Sequence, residues 1–406
     1  MRRRDCGRPR HLWLGTRGTA GDPPGRENAR ARTNHDAVGV DQSPALTVEY
    51  LEPFAEPEPL PEEFSPSNLR RSLLIIGAIV LAVVALIVLV PGLGSLRDRF
   101  AGAQPAWIVL AAVLQLGSCA GYVLVFRGVF CQRMTWRTST EIGLSELAAN
   151  SVLSVGGAGG LALGAWILRR GGLPSAFIGR RTIAFFLLTS LANVTFLAIG
   201  GLGLATGLLG GAPSFLLGLI PALVAIAAVA LALAARALAG GLARRSVRRR
   251  LVSVAEVVAA GVDEALALLR AREPTILLGA SAYLLFDVAM LGACFKAFGN
   301  PVPPVGVLLV AYLVGQLGSL IPIPGGIGGV DGGLIGTLVL YGVDPADAAV
   351  AVIAYRGLLL SIPAILGFPA LAVLRRRLRD EAHDIAACAP GQSVEILGRG
   401  SVRRSI

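Results

Sequence analysis

Long apolar segments constrain this chain more than any other feature of its sequence. The cleanest of them runs from Ser72 to Val90 without one charged residue. A helix needs about 20 apolar residues to cross the hydrocarbon core of a bilayer. Over the whole chain 54% of residues are hydrophobic and 16% are charged, against roughly 25% charged residues in a soluble protein. The sequence therefore predicts an all-α, polytopic integral membrane protein.

The apolar segments lie between two polar regions. We expect residues 1–67 to be a disordered tail, whose first 37 residues are a candidate for a wrongly assigned start, and residues 375–406 to be a basic, polar tail. A membrane domain then occupies residues 68–374. Its linker at 236–272 is basic and amphipathic, and we predict an interfacial helix there. The alternative is a solvated connector helix. The apolar segments are about 72–90, 105–126, 144–168, 182–206, 213–235, 275–297, 304–341 and 346–372.

The formal net charge of +11 does not indicate a nucleic-acid partner, because the arginines cluster beside apolar segments and no nucleic-acid-binding motif accompanies them. Examples are Arg70-Arg71 and the clusters at 244–250 and 375–379. Such clusters act as topology signals and contact anionic lipids. They predict a multi-pass protein of a bacterial plasma membrane with both termini in the cytoplasm.

This orientation creates a conflict at two of the segments. If segment 144–168 crossed the membrane completely, the arginines that follow it between 169 and 181 would face outside, against the positive-inside rule. Segment 304–341 must likewise begin and end on the outside. We therefore predict about six transmembrane helices and two re-entrant helical hairpins.

The two predicted hairpin tips resemble each other. "NSVLSVGGAGG" runs from Asn150 to Gly160 and "SLIPIPGGIGG" from Ser319 to Gly329, each with a small polar residue before G-G-x-G-G. This predicts an inverted repeat, about 105–206 and about 275–372, which is the layout of many transporters. The tip residues are Gly156, Gly157, Gly159, Gly160, Pro322, Pro324, Gly325, Gly326, Gly328 and Gly329.

The second tip also carries a resemblance to a known family. "IPIPGGIGGVDGGLIG" followed by "AVIAYRGLLLSIP" resembles the signature of the lysylphosphatidylglycerol synthetase transmembrane-region family, the flippase-like part of the bacterial multiple peptide resistance factor. The resemblance covers roughly 72–374 and implies movement of a phospholipid or lipid-linked head group between leaflets. Asp331 stands where the family usually has Glu, and the first tip lacks the family's proline. We expect a stand-alone member without the aminoacyl-transferring domain.

Charged residues inside apolar segments are the candidate site residues, because each costs about 2.5–3.5 kcal/mol at bilayer depth on insertion scales. Arg356 is suited to binding phosphate, with Asp331 or Asp287 as its counter-ion. The alternatives are a structural Asp331–Arg356 pair and a hydrogen bond from Asp287 to a neighbouring helix. The first hairpin adds Glu146 and Asn150 to the predicted head-group path, and the second adds Ser319.

Catalytic and metal chemistry find little support in the sequence. All three histidines lie in the polar tails, and the five cysteines are scattered, so we expect neither a zinc site nor a disulfide framework. Since no P-loop is present either, we expect no cofactor and no enzymatic activity.

The predicted function is a membrane lipid translocase. The alternatives are a small-solute or ion-coupled transporter and a non-catalytic subunit of a lipid- or glycan-modifying system. The expected partners are membrane phospholipids with anionic or aminoacylated head groups. A second copy of the chain and a separately encoded glycosyl- or aminoacyl-transferase are the candidate protein partners.

Overall fold

A computed structural model describes residue 74 and residues 102–152, 158–210, 214–242, 261–271, 274–320, 326 and 328–388. The apolar segment predicted at 72–90 lies outside the described residues except for Leu74, as does the predicted N-terminal tail. Within the described ranges the regular structure is helical, apart from one isolated bridge between Leu208 and Gly210. This agrees with the predicted all-α membrane protein.

Nine helices of the described part are labelled in chain order. The first five are α1 (Pro105–Phe130), α2 (Trp136–Val152), α3 (Ala158–Arg170), α4 (Ser175–Ala205) and α5 (Phe215–Leu242). The next four are α6 (Pro274–Ala297), α7 (Val305–Gln316), α8 (Gly329–Leu340) and α9 (Pro345–Ala386). A 3₁₀ turn at Leu317–Leu320 follows α7, and residues 261–270 are also helical.

Four helices of the described part are long and apolar enough to cross a bilayer. They are α1, α4, α6 and the Pro345–Arg377 part of α9. Proline opens α1, α6 and α9, where its fixed φ suits the first turn and its missing N–H costs nothing. Helix α9 continues well beyond residue 374, so the predicted C-terminal tail begins as helix.

The helices of the two halves are spaced alike along the chain. Adding 169 to a residue number in the first half gives its counterpart in the second, so that Pro105 corresponds to Pro274 and Trp136 to Val305. At the centre α1 packs along α6, while α9 packs against α2 and α4 packs against α7. The last helix of each half, α4 or α9, therefore packs against the other half, and α1 and α6 form the central pair.

Glycine makes the central contact between α1 and α6 possible. A Cβ atom added at Gly121 would lie 2.6 Å from the backbone nitrogen of Tyr283 and 2.9 Å from the backbone oxygen of Gly279. Small residues of this kind allow two helix backbones to approach closely in membrane proteins.

Both ends of the α2–α3 pair lie at one end of the protein. Before α2, the backbone N–H of Thr135 donates to Asp384 Oδ2 at 3.1 Å. After α3, Gly171 packs against Ile385 of α9 so closely that an added Cβ would lie 2.4 Å from Ile385 Cγ2. The chain therefore enters and leaves this pair of helices near the C-terminal end of α9.

Both ends of the α7–α8 pair lie beside the connection between α4 and α5. At the start of α7, Gly306 N–H donates to the Leu209 carbonyl at 3.1 Å. After α8, the Tyr341 hydroxyl donates to the Leu217 carbonyl at 2.7 Å. The α4–α5 connection lies at the far end of α4 from α3, so the two helix pairs begin at opposite ends of the protein.

Large apolar side chains remain exposed along the outer faces of several helices. Examples are Val109 and Val113 on α1, Ile220 on α5, and Leu278 on α6. Contiguous exposed apolar surface is rare on soluble proteins and normal where a protein faces lipid. Together with the long apolar helices, it describes a membrane-embedded protein.

A disulfide joins Cys131, directly after α1, to Cys388, directly after α9. Their Cα atoms lie 5.8 Å apart, within the usual range for a disulfide. The expectation that the cysteines do not pair is therefore wrong for these two residues. Their sequence separation of 257 conceals the pair, since only the packing of α9 onto α2 brings the two helix ends together.

Candidate functional site

The first residue of the site is Arg356, a largely buried arginine in the long helix α9. It retains 8% of its exposure, and its Nε donates to Asp331 Oδ1 at 2.7 Å. The Asp331 side chain is more accessible, at 24% relative exposure. The predicted counter-ion for Arg356 is thus Asp331, which lies in the first turn of α8.

The backbone before α8 fixes Asp331 from its other side. Asp331 Oδ2 accepts a hydrogen bond from Gly328 N–H at 2.8 Å. Gly328 has a φ of 89° and Gly326 a φ of 66°, a backbone conformation that glycine adopts without strain. A carboxylate in the first turn also complements the positive end of the helix dipole.

The arginine side chain lies directly beneath this tip. A Cβ atom added at Gly326 would lie 3.4 Å from Arg356 Nη2. The guanidinium is therefore held between the glycine backbone of the tip and the carboxylate of Asp331. A planar guanidinium at such a place can bind phosphate or carboxylate oxygens through several N–H groups.

Asp287 is the centre of a second polar group, on the central helix α6. It is 1% exposed, and its Oδ2 accepts a hydrogen bond from the Tyr312 hydroxyl of α7 at 2.9 Å. Its Oδ1 is buried without a hydrogen-bond partner among the described residues, and so is the hydroxyl of Tyr355 on α9. The predicted hydrogen bond from Asp287 to a neighbouring helix is therefore present, and the Ser118 hydroxyl of α1 also lies near the carboxyl group while it donates to the Tyr283 carbonyl.

Glu146 forms a similar pair in the first half. It is 1% exposed, and its Oε2 accepts a hydrogen bond from the Tyr122 hydroxyl of α1 at 2.7 Å. Its Oε1 lies over Gly164 of α3, where an added Cβ would come within 1.5 Å of that oxygen. A residue with any side chain at 164 would displace the carboxyl group.

Aromatic rings connect the two carboxyl–tyrosine pairs. The rings of Tyr122 and Tyr283 meet edge to face with centroids 5.6 Å apart. Tyr283 lies one helical turn before Asp287, and its carbonyl accepts a hydrogen bond from Ser118 of α1 at 3.2 Å. Polar side chains therefore line the central contact between α1 and α6.

The remaining predicted site residues make local contacts. Asn150 Oδ1 accepts a hydrogen bond from Gly160 N–H at 2.7 Å and so ties α2 to the start of α3. The Ser319 hydroxyl donates to the Gln316 carbonyl at 2.6 Å, within its own chain turn. Of the predicted tip residues, five lie outside the described residues: Gly156, Gly157, Pro322, Pro324 and Gly325.

No sequence pattern marks the tyrosines as site residues. Tyr122, Tyr312 and Tyr355 are buried at the site, but they occur inside apolar segments, where the sequence predicts that an aromatic ring only fills the hydrophobic core. Only the hydroxyl group could have indicated a polar role, since a buried tyrosine usually has a hydrogen-bond partner. As for metals, the described residues include no group of three or more His, Cys, Asp or Glu placed to hold an ion.

Comparison with known families agrees with this architecture. Residues 75–367 match the family model described as the lysylphosphatidylglycerol synthase TM region. No curated protein matches the chain significantly. The matched region includes α1 to α8 and the apolar part of α9 with Arg356, and it extends over well more than half of the chain. The chain belongs to the lysylphosphatidylglycerol synthase transmembrane-region family.

Proposed function

We propose that this protein is a lipid translocase that moves an anionic or aminoacylated phospholipid, or a lipid-linked head group, between leaflets. Membership of the family supports a role in lipid modification or translocation. The observation that carries the proposal is the buried Arg356 beneath the α8 tip, at a place where its guanidinium can receive a phosphate.

We further propose that α2–α3 and α7–α8 are re-entrant hairpins of an inverted repeat. Helices α7 and α8 have 12 residues each, which at 1.5 Å per residue rise about 18 Å, well short of a hydrocarbon core of roughly 30 Å. Each pair begins and ends at one end of the protein, and the two pairs use opposite ends. Such broken helices meet near the midplane in transporters, where backbone groups can contact a substrate.

Orientation and partners are part of the same proposal. The end that holds Arg127, Arg137 and the arginines at 375–377 would face the cytoplasm of a bacterial plasma membrane. The protein would act without catalysing a covalent step, so a separately encoded transferase would supply any modified head group. A homo-oligomer is compatible with this function and is not required for it.

Charge placement explains how a head group could pass. A phosphate that approaches Arg356 competes with Asp331, which is already partly accessible and so can be displaced from the arginine without unfolding the tip. The acyl chains would stay in the surrounding hydrocarbon, because the outer helix faces expose apolar side chains. Only the head group then needs a polar path.

The test is leaflet exchange of fluorescent phosphatidylglycerol in proteoliposomes, measured by quenching of the outer leaflet. We expect Arg356→Gln and Asp331→Asn to slow exchange at least tenfold. The matched controls are Arg137→Gln and Glu141→Gln, which alter an ion pair of 3.0 Å between an exposed arginine and a largely buried glutamate outside the site, and they should leave exchange unchanged.

A purely structural role for the Asp331–Arg356 pair predicts a different pattern. Both site variants would then lose thermal stability in detergent in proportion to their loss of exchange. Folded site variants with normal exchange would refute the proposed path. Folded wild-type protein that exchanges neither anionic nor aminoacylated lipid would refute the translocase and favour a solute transporter or a partner subunit.

A further inference from the structure

Asp287 occupies a site that the head-group path alone does not explain. Its carboxyl group is buried between the central helices, and Oδ1 has no hydrogen-bond partner among the described residues. The Tyr355 hydroxyl, also fully buried and without a partner there, lies close enough to interact with Asp287 electrostatically. Buried polar groups usually have a hydrogen-bond partner, so two that lack one among the described residues need an explanation.

The charges around Asp287 favour a proton as the species that it binds. Asp331 already takes the Nε of Arg356, so two carboxyl groups in this region share one arginine. The other titratable groups that interact with Asp287 are neutral thiols and phenols on the helices around it. They are Cys119 of α1, Tyr283 of α6, Tyr312 of α7 and Tyr355 of α9. Among the described residues no salt bridge is formed to Asp287, so its ionised form would be a buried charge without an ion-pair partner there, which is unfavourable in a low-dielectric interior.

We propose that Asp287, with Tyr312 and Tyr355, is a proton-binding site that couples lipid movement to a pH gradient. A proton neutralises the carboxyl group and supplies a donor where Oδ1 lacks a partner. It needs no coordination shell, whereas a metal ion needs several ligands, and no acidic or thiol cluster of that size occurs among the described residues. The proton that binds from one side of the membrane leaves on the other.

The chain provides a direct connection from this site to the head-group site. Tyr355 is adjacent to Arg356 in α9, so one helical segment carries a partner of each site. Tyr312 lies on α7 and Asp331 on α8, which pack against each other in the second hairpin. A change at Asp287 on proton release would therefore reach α7 and α9, the helices that hold the tip and its arginine.

The coupling rests on the proposed lipid exchange, so its experiment uses two readouts. The first is infrared difference spectroscopy of the purified protein at about pH 7. We expect the spectrum of wild type minus Asp287→Asn to contain the carbonyl stretch of a neutral carboxyl group. The control Asp344→Asn removes an exposed carboxyl group and should give no such band.

The second readout is the steady-state leaflet distribution of fluorescent phosphatidylglycerol under an imposed gradient. One proton per lipid and one pH unit give a distribution ratio of up to about tenfold. We expect this asymmetry in wild type and in Asp344→Asn, and its loss in Asp287→Asn whatever the basal rate of that variant. If Asp287→Asn does not fold, Tyr312→Phe should shift the pH midpoint of the carbonyl band.

The outcomes separate the two proposals. Exchange that ignores the pH gradient, responds to a sodium gradient instead, or keeps its proton response in Asp287→Asn overturns the coupling and leaves the translocase intact. Absence of the carbonyl band overturns the proton site. If no lipid is exchanged under any gradient while the band is present, the translocase fails and the proton site stands.

Discussion

Substitution of Gly164 by alanine tests the geometry of the first hairpin most directly. The added Cβ would lie 1.5 Å from Glu146 Oε1 and 2.6 Å from its Cδ, so the carboxyl group must leave its position. The Tyr122 hydroxyl, which donates to that carboxyl group at 2.7 Å, then loses its acceptor in a buried environment. Helix α3 also has no room to move away, since α2 and α4 pack against it.

The size of the effect follows from three contributions. An unsatisfied buried hydroxyl costs about 1–3 kcal/mol, and overpacking costs about 1–3 kcal/mol. Replacing a helical glycine by alanine offsets about 1 kcal/mol of this loss. We therefore expect the free energy of unfolding to fall by roughly 1–5 kcal/mol, measured by steric trapping in bicelles or as a lowered melting temperature in detergent.

Two variants turn this into a test of the contact itself. Gly336→Ala makes the same chemical change in α8, where an added Cβ meets nothing within 4 Å, and should leave stability equal or higher. In a Glu146→Ala background the clash is absent, so Gly164→Ala should cost little, with a coupling of at least about 1 kcal/mol. An equal cost of Gly164→Ala in both backgrounds would contradict the geometry.

Three further predictions concern the end of the protein that holds the disulfide. In the oxidised protein, Cys388→Ser or reduction of the disulfide should lower stability by about 2–4 kcal/mol, because the link closes a long loop. The cytoplasm keeps thiols reduced, so if this end faces it as proposed, peptide mapping should recover the Cys131 and Cys388 peptides joined only after oxidation of the purified protein. Partial burial raises the pKa of Asp384, but hydrogen bonds from the Thr138 and Thr135 hydroxyls and from Thr135 N–H outweigh it, so this pKa lies below its ordinary value. The stabilisation from Asp384 is therefore fully present above the ordinary aspartate pKa and is lost as the pH falls through the lower pKa of the folded state. Asp384→Asn should therefore make the melting temperature depend less on pH in the acid range. Arg181→Gln removes a 3.0 Å ion pair with Glu264 and the hydrogen bond to the Val129 carbonyl, so it should speed hydrogen exchange at 261–270 and lower stability by about 1–3 kcal/mol.

Much of the architecture could be predicted from the sequence, because a helix that crosses a membrane must be long and apolar. Apolar length and arginine placement indicated which segments are helical and suggested two interrupted ones, and the described residues of these two segments form separate helices, α2 and α3 in one and α7 and α8 in the other. The Asp331–Arg356 pair could be anticipated because both charges lie in apolar surroundings and need a partner. The contacts of Glu146 could not, since they depend on Tyr122 and Gly164, and neither residue type carries a charge that marks it.

The disulfide and the tyrosine partners share the reason they were missed. Each depends on how helices from different halves of the chain pack, which segment-by-segment hydropathy does not contain. Cys131 and Cys388 meet because α9 lies against α2, and Tyr355 approaches Asp287 because α9 also lies against α6. Periodicity within one helix gives no information on either contact.

The spacing of the two halves bears on whether the charges serve structure or function. Under the shift of 169 residues, Asp331 corresponds to Ala162 and Arg356 to Leu187. Helices α2 and α3 thus pack together although the positions equivalent to Asp331 and Arg356 hold no ion pair. A helix pair of this form therefore does not need that ion pair to fold. In the same way Asp287 of α6 corresponds to Ser118 of α1, so one side of the central contact has a neutral residue where the other has a carboxyl group, and Tyr355 corresponds to Phe186, which lacks the hydroxyl. A scaffold that repeats while its buried charges do not is what a substrate path requires, because the path must distinguish one side of the membrane from the other. The lack of equivalent charges in the first half therefore supports the proposed head-group path over a purely structural role for Asp331 and Arg356.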